Sequence, residues 1–309
     1  MAATEAAASG GLLEAMRPRQ WTKNLLLYAG IVFAAELDDP ERWVQATAAF
    51  VAYCLASSAA YIFNDVRDAE RDRLHPLKRH RPIASGRVRP ERALNVAGIL
   101  ATLAFAVVAP LGWGSLAYMA GFVALQAAYS FGLKKLPLID VMAISGLFVI
   151  RAAAGAEAVD VRISPWLIVC TALLALFLAL AKRRGELATT GVEAGRPVLS
   201  GYSLELVDQL VTIVAACTIV AYSLYTFESR EGSAMMATIP FVVYGLFRYI
   251  ELMHRDDLGE EPENVLLTDV PILVTIAGWA ITSAAILALV GLLAMPVTPH
   301  EVMLGKIWA

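Results

Sequence analysis

Apolar residues run along this chain in long blocks, separated by charged or turn-forming stretches. Nine blocks are found, at residues 21–37, 43–63, 93–111, 113–133, 136–158, 163–181, 206–227, 234–253 and 270–295. Most approach or exceed the ~20 apolar residues that a helix needs to cross hydrocarbon. None alternates apolar and polar positions as a membrane β-strand does. The first is the weakest, with an uncharged core only from 24 to 35. The pattern predicts an all-α polytopic membrane protein with nine transmembrane helices.

Composition narrows the class. Hydrophobic residues make up 58% of the chain and charged residues 17%, against about 45–50% and about 25% in soluble domains. A soluble enzyme, a disordered chain and a coiled coil are excluded. The net charge of −3 gives no case for nucleic acid as a partner. Cys54, Cys170 and Cys217 each lie in an apolar block without CxxC or Cys/His spacing, and read as small core residues.

Charge also sets the orientation. With the N-terminus in the cytoplasm, twenty of the 25 Lys and Arg residues fall on the cytoplasmic side and four on the other, with Arg151 inside a block. The chain divides into a flexible cytoplasmic tail (1–16), a nine-helix domain (17–295) and a short extracytoplasmic tail (296–309). The start lacks the early positive charge and apolar run of a signal peptide. The two richest basic loops follow the second and sixth blocks, which suggests a four-helix unit used twice plus a ninth helix, although no sequence repeat accompanies it. The long polar loops are cytoplasmic, so an active site is expected on that face.

The sharpest chemical feature ends the second block: Asn64-Asp65-Val66-Arg67-Asp68-Ala69-Glu70-Arg71-Asp72. Asp65, Asp68 and Asp72 fall within about 60° of each other on a helix. Unpaired, they repel. A hard cation such as Mg²⁺, itself bridging to phosphate, resolves the repulsion. The bland alternative is a solvated helix end with Asp–Arg pairs through Arg67 and Arg71. Carboxylates at a membrane-embedded helix end favour function. Lys78, Arg79 and Arg81 follow directly and make a phosphate clamp plausible, whereas His75 and His80 read as loop residues.

Three further segments are basic. Arg17, Arg19 and Lys23 precede and open the first block and are candidate anion contacts, against the plainer reading of a membrane anchor. Tyr129-Ser130-Phe131-Gly132-Leu133-Lys134-Lys135 ends the fourth block, and Lys182-Arg183-Arg184-Gly185-Glu186 follows the sixth. Lys182 and Glu186 are four apart, so they either pair or point together at a ligand. Arg151 is expected to pair with Glu157 or Asp140, or to face a pocket. Arg248, Glu251, Arg255 and Asp256 read as a solvated helix end.

Together these features resemble the UbiA-type intramembrane prenyltransferase superfamily over nearly the whole chain. The resemblance is carried by Asn64, Asp65, Asp68 and Asp72 in an NDxxDxxxD pattern and by the following RPIASG segment. Its usual second motif, a DxxxD-type cluster after helix six, is replaced here by KRRGE. RPRQWTKN, YSFGLKK and KRRGE are similar to the branch that transfers 5-phosphoribose from phosphoribosyl pyrophosphate to decaprenyl (polyprenyl) phosphate for cell-wall arabinan precursors. The resemblance implies a UbiA-type bundle in the plasma (inner) membrane, surrounded by membrane lipid, with a homo-oligomer left open. It implies Mg²⁺ held by Asn64, Asp65, Asp68 and Asp72, with these carboxylates catalytic. It also implies substrate contacts from Lys23, Asn64, Lys78, Arg79, Arg81, Tyr129, Lys134, Lys135, Lys182, Arg183 and Glu186. The nearest rival is a prenyltransferase acting on an aromatic or quinone precursor. A transporter or a structural scaffold fits less well, because the charges gather on one face.

Overall fold

The computed structural model describes residues 10–34, 39–75, 78–162, 164–194, 197–228, 232–255, 265 and 268–294, and among them there is no strand. A short helix α1 (residues 10–16) leads into a 3-10 stretch, Pro18–Tyr28, and α2 (Ala29–Ala34). The long elements follow as α3 (Pro40–Leu74), α4 (Pro90–Val108), α5 (Trp113–Phe131), α6 (Ile139–Ala158), α7 (Pro165–Ala194), α8 (Leu204–Glu228), α9 (Ile239–Arg255) and α10 (Val270–Ala294). Among the described residues, seven helical segments are long and apolar enough to cross a membrane. Two of the nine blocks fall outside that set. The first folds as 3-10 turns and a six-residue helix, and α5 carries Gly114, Ser115, Gln126 and Ser130 among its apolar positions.

Two apolar clusters share α6. Leu147 and Ala154 pack with Leu27, Tyr53, Ala56, Met119 and Phe122, on the side of α3 and α5. Val141 packs with Phe177, Leu180, Val207, Val211 and Tyr249, on the side of α7, α8 and α9. Where α6 crosses the first segment, both backbones are bare. A Cβ on Gly155 would sit 2.1 Å from the Leu27 carbonyl oxygen, and one on Gly30 would sit 2.8 Å from the Ala156 Cα. Small residues permit this approach inside a membrane. Gly155→Ala is therefore expected to displace the first segment and destabilise the fold by about 1–3 kcal/mol. A lowered unfolding midpoint in detergent checks it.

α3 positions the site by its length. Its 35 residues at about 1.5 Å each give roughly 52 Å, against about 30 Å of hydrocarbon. The helix starts on Pro40, with Asp39 capping the Glu41 amide at 2.9 Å. Its last turns carry the acidic motif as continuous helix. Part of the segment expected to be a flexible tail is ordered. Residues 10–16 are helical and docked, with Ala15 buried against Ile62, Ile83, Val88 and Ala93. Glu14 accepts both Arg87 Nη groups at 2.8 and 3.0 Å. An apolar stripe of Leu12, Ala15 and Met16 explains the docking. Residues 1–9 and 296–309 lie outside the described residues.

Candidate active site

The acidic face of α3 is met by cations from three separate segments. Asp65 and Asp72 are almost wholly buried, at 2% exposure each. Arg81 Nη1 lies between them, 3.2 Å from Asp65 Oδ1 and 2.6 Å from Asp72 Oδ2. Arg17 reaches the same Asp65 oxygen at 2.5 Å and lies over the Tyr61 ring at 5.0 Å. Lys134 Nζ is 2.8 Å from Asp68 Oδ2 and 3.0 Å from Asn64 Oδ1, with Arg71 3.5 Å from Asp68. Carboxylates this deep are tolerated because each finds a cation.

Local folding explains how those cations arrive. The segment after Arg81 is pinned by buried Ile83, Ala84 and Val88, by a Val88 amide bond to the Pro82 carbonyl (3.0 Å), and by Arg73 on the Ala84 carbonyl (3.1 Å). Gly86 takes the left-handed conformation (φ 80°) that closes the turn. Arg17 joins α1 to the 3-10 stretch with φ 53°, an uncommon and strained state for a non-glycine residue. In the 3-10 stretch, positions three apart share a face. Trp21, Asn24 and Leu27 form that face: the Trp21 indole donates to Ser58 (3.0 Å) and Asn24 donates to Cys54 Sγ (3.3 Å). Lys23 lies half-buried beside it.

The donor set is all oxygen, three carboxylates and an amide, and in chemistry it fits Mg²⁺. Among the described residues, no three Asp, Glu, His or Cys side chains already surround one point. Arg81 holds the place between Asp65 and Asp72. The residues fit the ion on condition that Arg81 releases those carboxylates. Lys78 is half-buried and Arg79 exposed on the same loop. His75 is pushed below its ordinary pKa, by partial burial first and the Lys78 ammonium second, so it stays neutral at physiological pH.

The second half of the site is built differently from the expectation. Arg183 is 1% exposed. Its Nε donates to Asp140 Oδ2 at 2.7 Å, and its Nη1 is in close contact with Glu186. Tyr202 donates to the other Asp140 oxygen (2.6 Å) and accepts the Leu138 amide (2.7 Å). Glu186 therefore pairs with Arg183 one turn away, and these two buried side chains face each other, not an open ligand position. Arg184 binds Asp208 and the Met253 carbonyl, each at 2.7 Å. Lys182 and Tyr129 are half-buried and Lys135 is exposed, with Tyr129 an electrostatic neighbour of Arg183. The α5–α6 turn links the halves: Lys134 touches Asp68, and Pro137 packs where a Cβ on Gly201 would fall, 2.2 Å away.

Three other arginines have defined partners. Arg151 pairs with neither Glu157 nor Asp140. It donates to Asn24 Oδ1 (2.7 Å) and the Leu147 carbonyl (3.1 Å), and lies 4.8 and 5.3 Å from the Phe122 and Phe148 ring centres. On a helix, Glu157 six residues on points about 120° away from Arg151, and Asp140 lies three turns back. Arg248 joins Glu251 and Asp269, each at 2.9 Å, while Asp256 lies outside the described residues. Arg67 binds backbone carbonyls of α5, not the Asp motif. The contact most underweighted from sequence is Arg17 on Asp65, because 48 residues separate the pair.

The sequence profile described as the UbiA prenyltransferase family matches residues 25–267. The decaprenyl-phosphate phosphoribosyltransferase of Mycolicibacterium smegmatis is 35% identical over 294 residues, covering 89% of this chain and 92% of its own. A protein of the same name from Corynebacterium glutamicum is 32% identical over 282 residues, covering 87% and 84%. A UbiA homolog from Archaeoglobus fulgidus, solved bound to GPP and Mg²⁺, is alike in fold: TM-score 0.69, 18% identity, 90% of this chain and 99% of its own.

Proposed function

The chain belongs to the UbiA prenyltransferase family, and from that premise we propose that it transfers 5-phosphoribose from phosphoribosyl pyrophosphate to a polyprenyl phosphate such as decaprenyl phosphate. It is an integral membrane enzyme of that family, helical and without a strand among the described residues, seven of whose helical segments are long and apolar enough to cross a membrane. We place nine crossings in the plasma membrane within residues 17–295, with the N-terminus and the site cytoplasmic. The observation that carries the donor assignment is the second half of the site. There a buried Arg183 joins Asp140 and Glu186, where the family's usual second motif would set a second acidic cluster. The basic loops beside it and the acidic face carry Arg17, Lys23, Lys78, Arg79, Arg81, Lys134, Lys135 and Lys182 against Asp65, Asp68 and Asp72, and that positive excess suits a donor bearing a 5-phosphate as well as a diphosphate. Relatives named decaprenyl-phosphate phosphoribosyltransferase support the reading.

In this reading Asp65 and Asp68, with Asn64 and Asp72, would hold Mg²⁺. Bound there, the ion supplies positive charge to the diphosphate as leaving group. Arg17 and Arg81 exchange their carboxylate partners for phosphate oxygens as the donor enters, and Lys134 stays on the Asp68 side. Lys23, Lys78, Arg79, Lys135 and Lys182 neutralise the remaining phosphates, and Tyr129 borders the ribose. Arg183 and Glu186 hold the wall behind it. The C1–O bond to diphosphate breaks with its electron pair on the leaving group. A lipid phosphate oxygen attacks C1 from the opposite face and inverts it. Charge building on the ribose ring is stabilised by nearby carboxylates. The nucleophile is already anionic and needs no general base, and the polyprenyl tail stays in the bilayer.

Diphosphate release from phosphoribosyl pyrophosphate is expected only when polyprenyl phosphate and Mg²⁺ are both present, and EDTA should stop it. A coupled diphosphate assay on purified protein reads this. Release without lipid phosphate, or none with it, opposes the proposal.

A further inference from the structure

Arg67 sits inside the acidic motif, yet its guanidinium turns to another helix. Its Nη1 donates to the Ser130 carbonyl at 2.7 Å and its Nη2 to the Phe131 carbonyl at 3.4 Å. The guanidinium carbon lies 4.3 Å from the Phe131 ring centre. Those carbonyls belong to the last turn of α5, where C=O groups lack intrahelical donors and the helix dipole is negative. A guanidinium fork satisfies two of them at once.

The chain then passes through Gly132 into the 3-10 turn Leu133–Lys135. Lys134, in the middle of that turn, reaches back to α3, 3.0 Å from Asn64 and 2.8 Å from Asp68. One helical turn of α3 therefore holds both ends of a closed path of contacts. Arg67 fixes where α5 stops, and Asn64 and Asp68 receive the lysine that follows. An ammonium on a flexible four-carbon stem has no directional preference of its own, so its place must come from the backbone that carries it.

We infer that Arg67 is a positioning residue: by gripping the end of α5 it sets the Lys134 ammonium over Asn64 and Asp68, where the ammonium meets the donor diphosphate. The inference rests on the phosphate-binding role proposed for Lys134. It requires that Arg67 act through Lys134 and not through overall stability.

A double-mutant cycle separates the two. Inorganic diphosphate with Mg²⁺ is titrated calorimetrically into the detergent-purified full chain as wild type, Arg67→Met, Lys134→Met and the double variant. Each single change is expected to raise Kd about tenfold, and the double variant should bind no more weakly than Lys134→Met alone. Arg67→Lys, able to reach one carbonyl at a time, should fall between wild type and Arg67→Met. The unfolding midpoint of Arg67→Met should match wild type. Losses that add in the double variant would overturn the inference. So would an unchanged Kd in Arg67→Met, or an effect confined to the midpoint. Wild-type protein that binds this probe but transfers no phosphoribose contradicts the proposed function alone. Wild-type protein that does not bind it contradicts both.

Discussion

Asp68→Ala is expected to cut turnover by on the order of 10²–10³ or more, while the protein still inserts and melts only slightly below wild type. Asp68 is the least buried member of the acidic face, at 15% side-chain exposure against 3% for Asp65 and Asp72. Its contacts are Lys134 at 2.8 Å and Arg71 at 3.5 Å, at a solvated helix end. Without the carboxylate Lys134 keeps Asn64 and the exposed Arg71 turns to water, so the loss to folding is about 1–2 kcal/mol. The proposed reaction has much to lose, because the departing diphosphate would need charge supplied through this carboxylate. Asp65→Ala should be as inactive but less clean, since Arg17 and Arg81 both pair with that buried group. Turnover and unfolding midpoint measured on one preparation decide the matter. Wild-type-like turnover in Asp68→Ala would remove the metal assignment.

Arg183→Met is expected to act on stability first. Asp140 is fully enclosed, and with Glu186 it depends on this guanidinium for compensation. Removing the cation takes away the charge that compensates buried Asp140, whose Tyr202 hydroxyl contact is neutral, at a cost of about 3–5 kcal/mol. The variant should express poorly and melt well below wild type. Adding Asp140→Asn and Glu186→Gln removes the stranded charge and should recover part of the loss, because a whole buried ionic network is often replaceable where half of one is not. Lys182→Met should spare the melting midpoint and weaken donor binding. An Arg183→Met protein with wild-type stability would return Arg183 to the list of direct substrate contacts.

Much of this was legible in the sequence, for reasons that differ by element. The long helices follow from apolar run length, a property local to each segment. The acidic face is local too: positions 65, 68 and 72 share a side of any helix, and α3 is simply long enough to carry them past the hydrocarbon. What the sequence hid are pairings across distance. Nothing in RPRQWTKN says that Arg17 will find Asp65, and nothing in KRRGE says that Arg183 will be locked to Asp140, 43 residues earlier. Arg151 was expected on a carboxylate, Glu157 or Asp140, or facing a pocket, because a buried cation usually needs a partner. Asn24, a backbone carbonyl and two aromatic rings serve instead, and only the packing of the first segment on α6 brings them there. That first segment was read as a plain apolar block. Its 3-10 winding reflects contacts with α3 and α6 more than its own composition.

The central claim is the identity of the donor. The measurement that tests it most directly offers the purified protein radiolabelled phosphoribosyl pyrophosphate, Mg²⁺ and a polyprenyl phosphate, and counts label in the organic phase beside an EDTA control. A parallel reaction offers a prenyl diphosphate and quinone precursors. Mg²⁺-dependent labelled lipid from the first mixture, with nothing formed in the second, is the predicted result. Prenylated aromatic product in the second mixture, with no labelled lipid in the first, would contradict it.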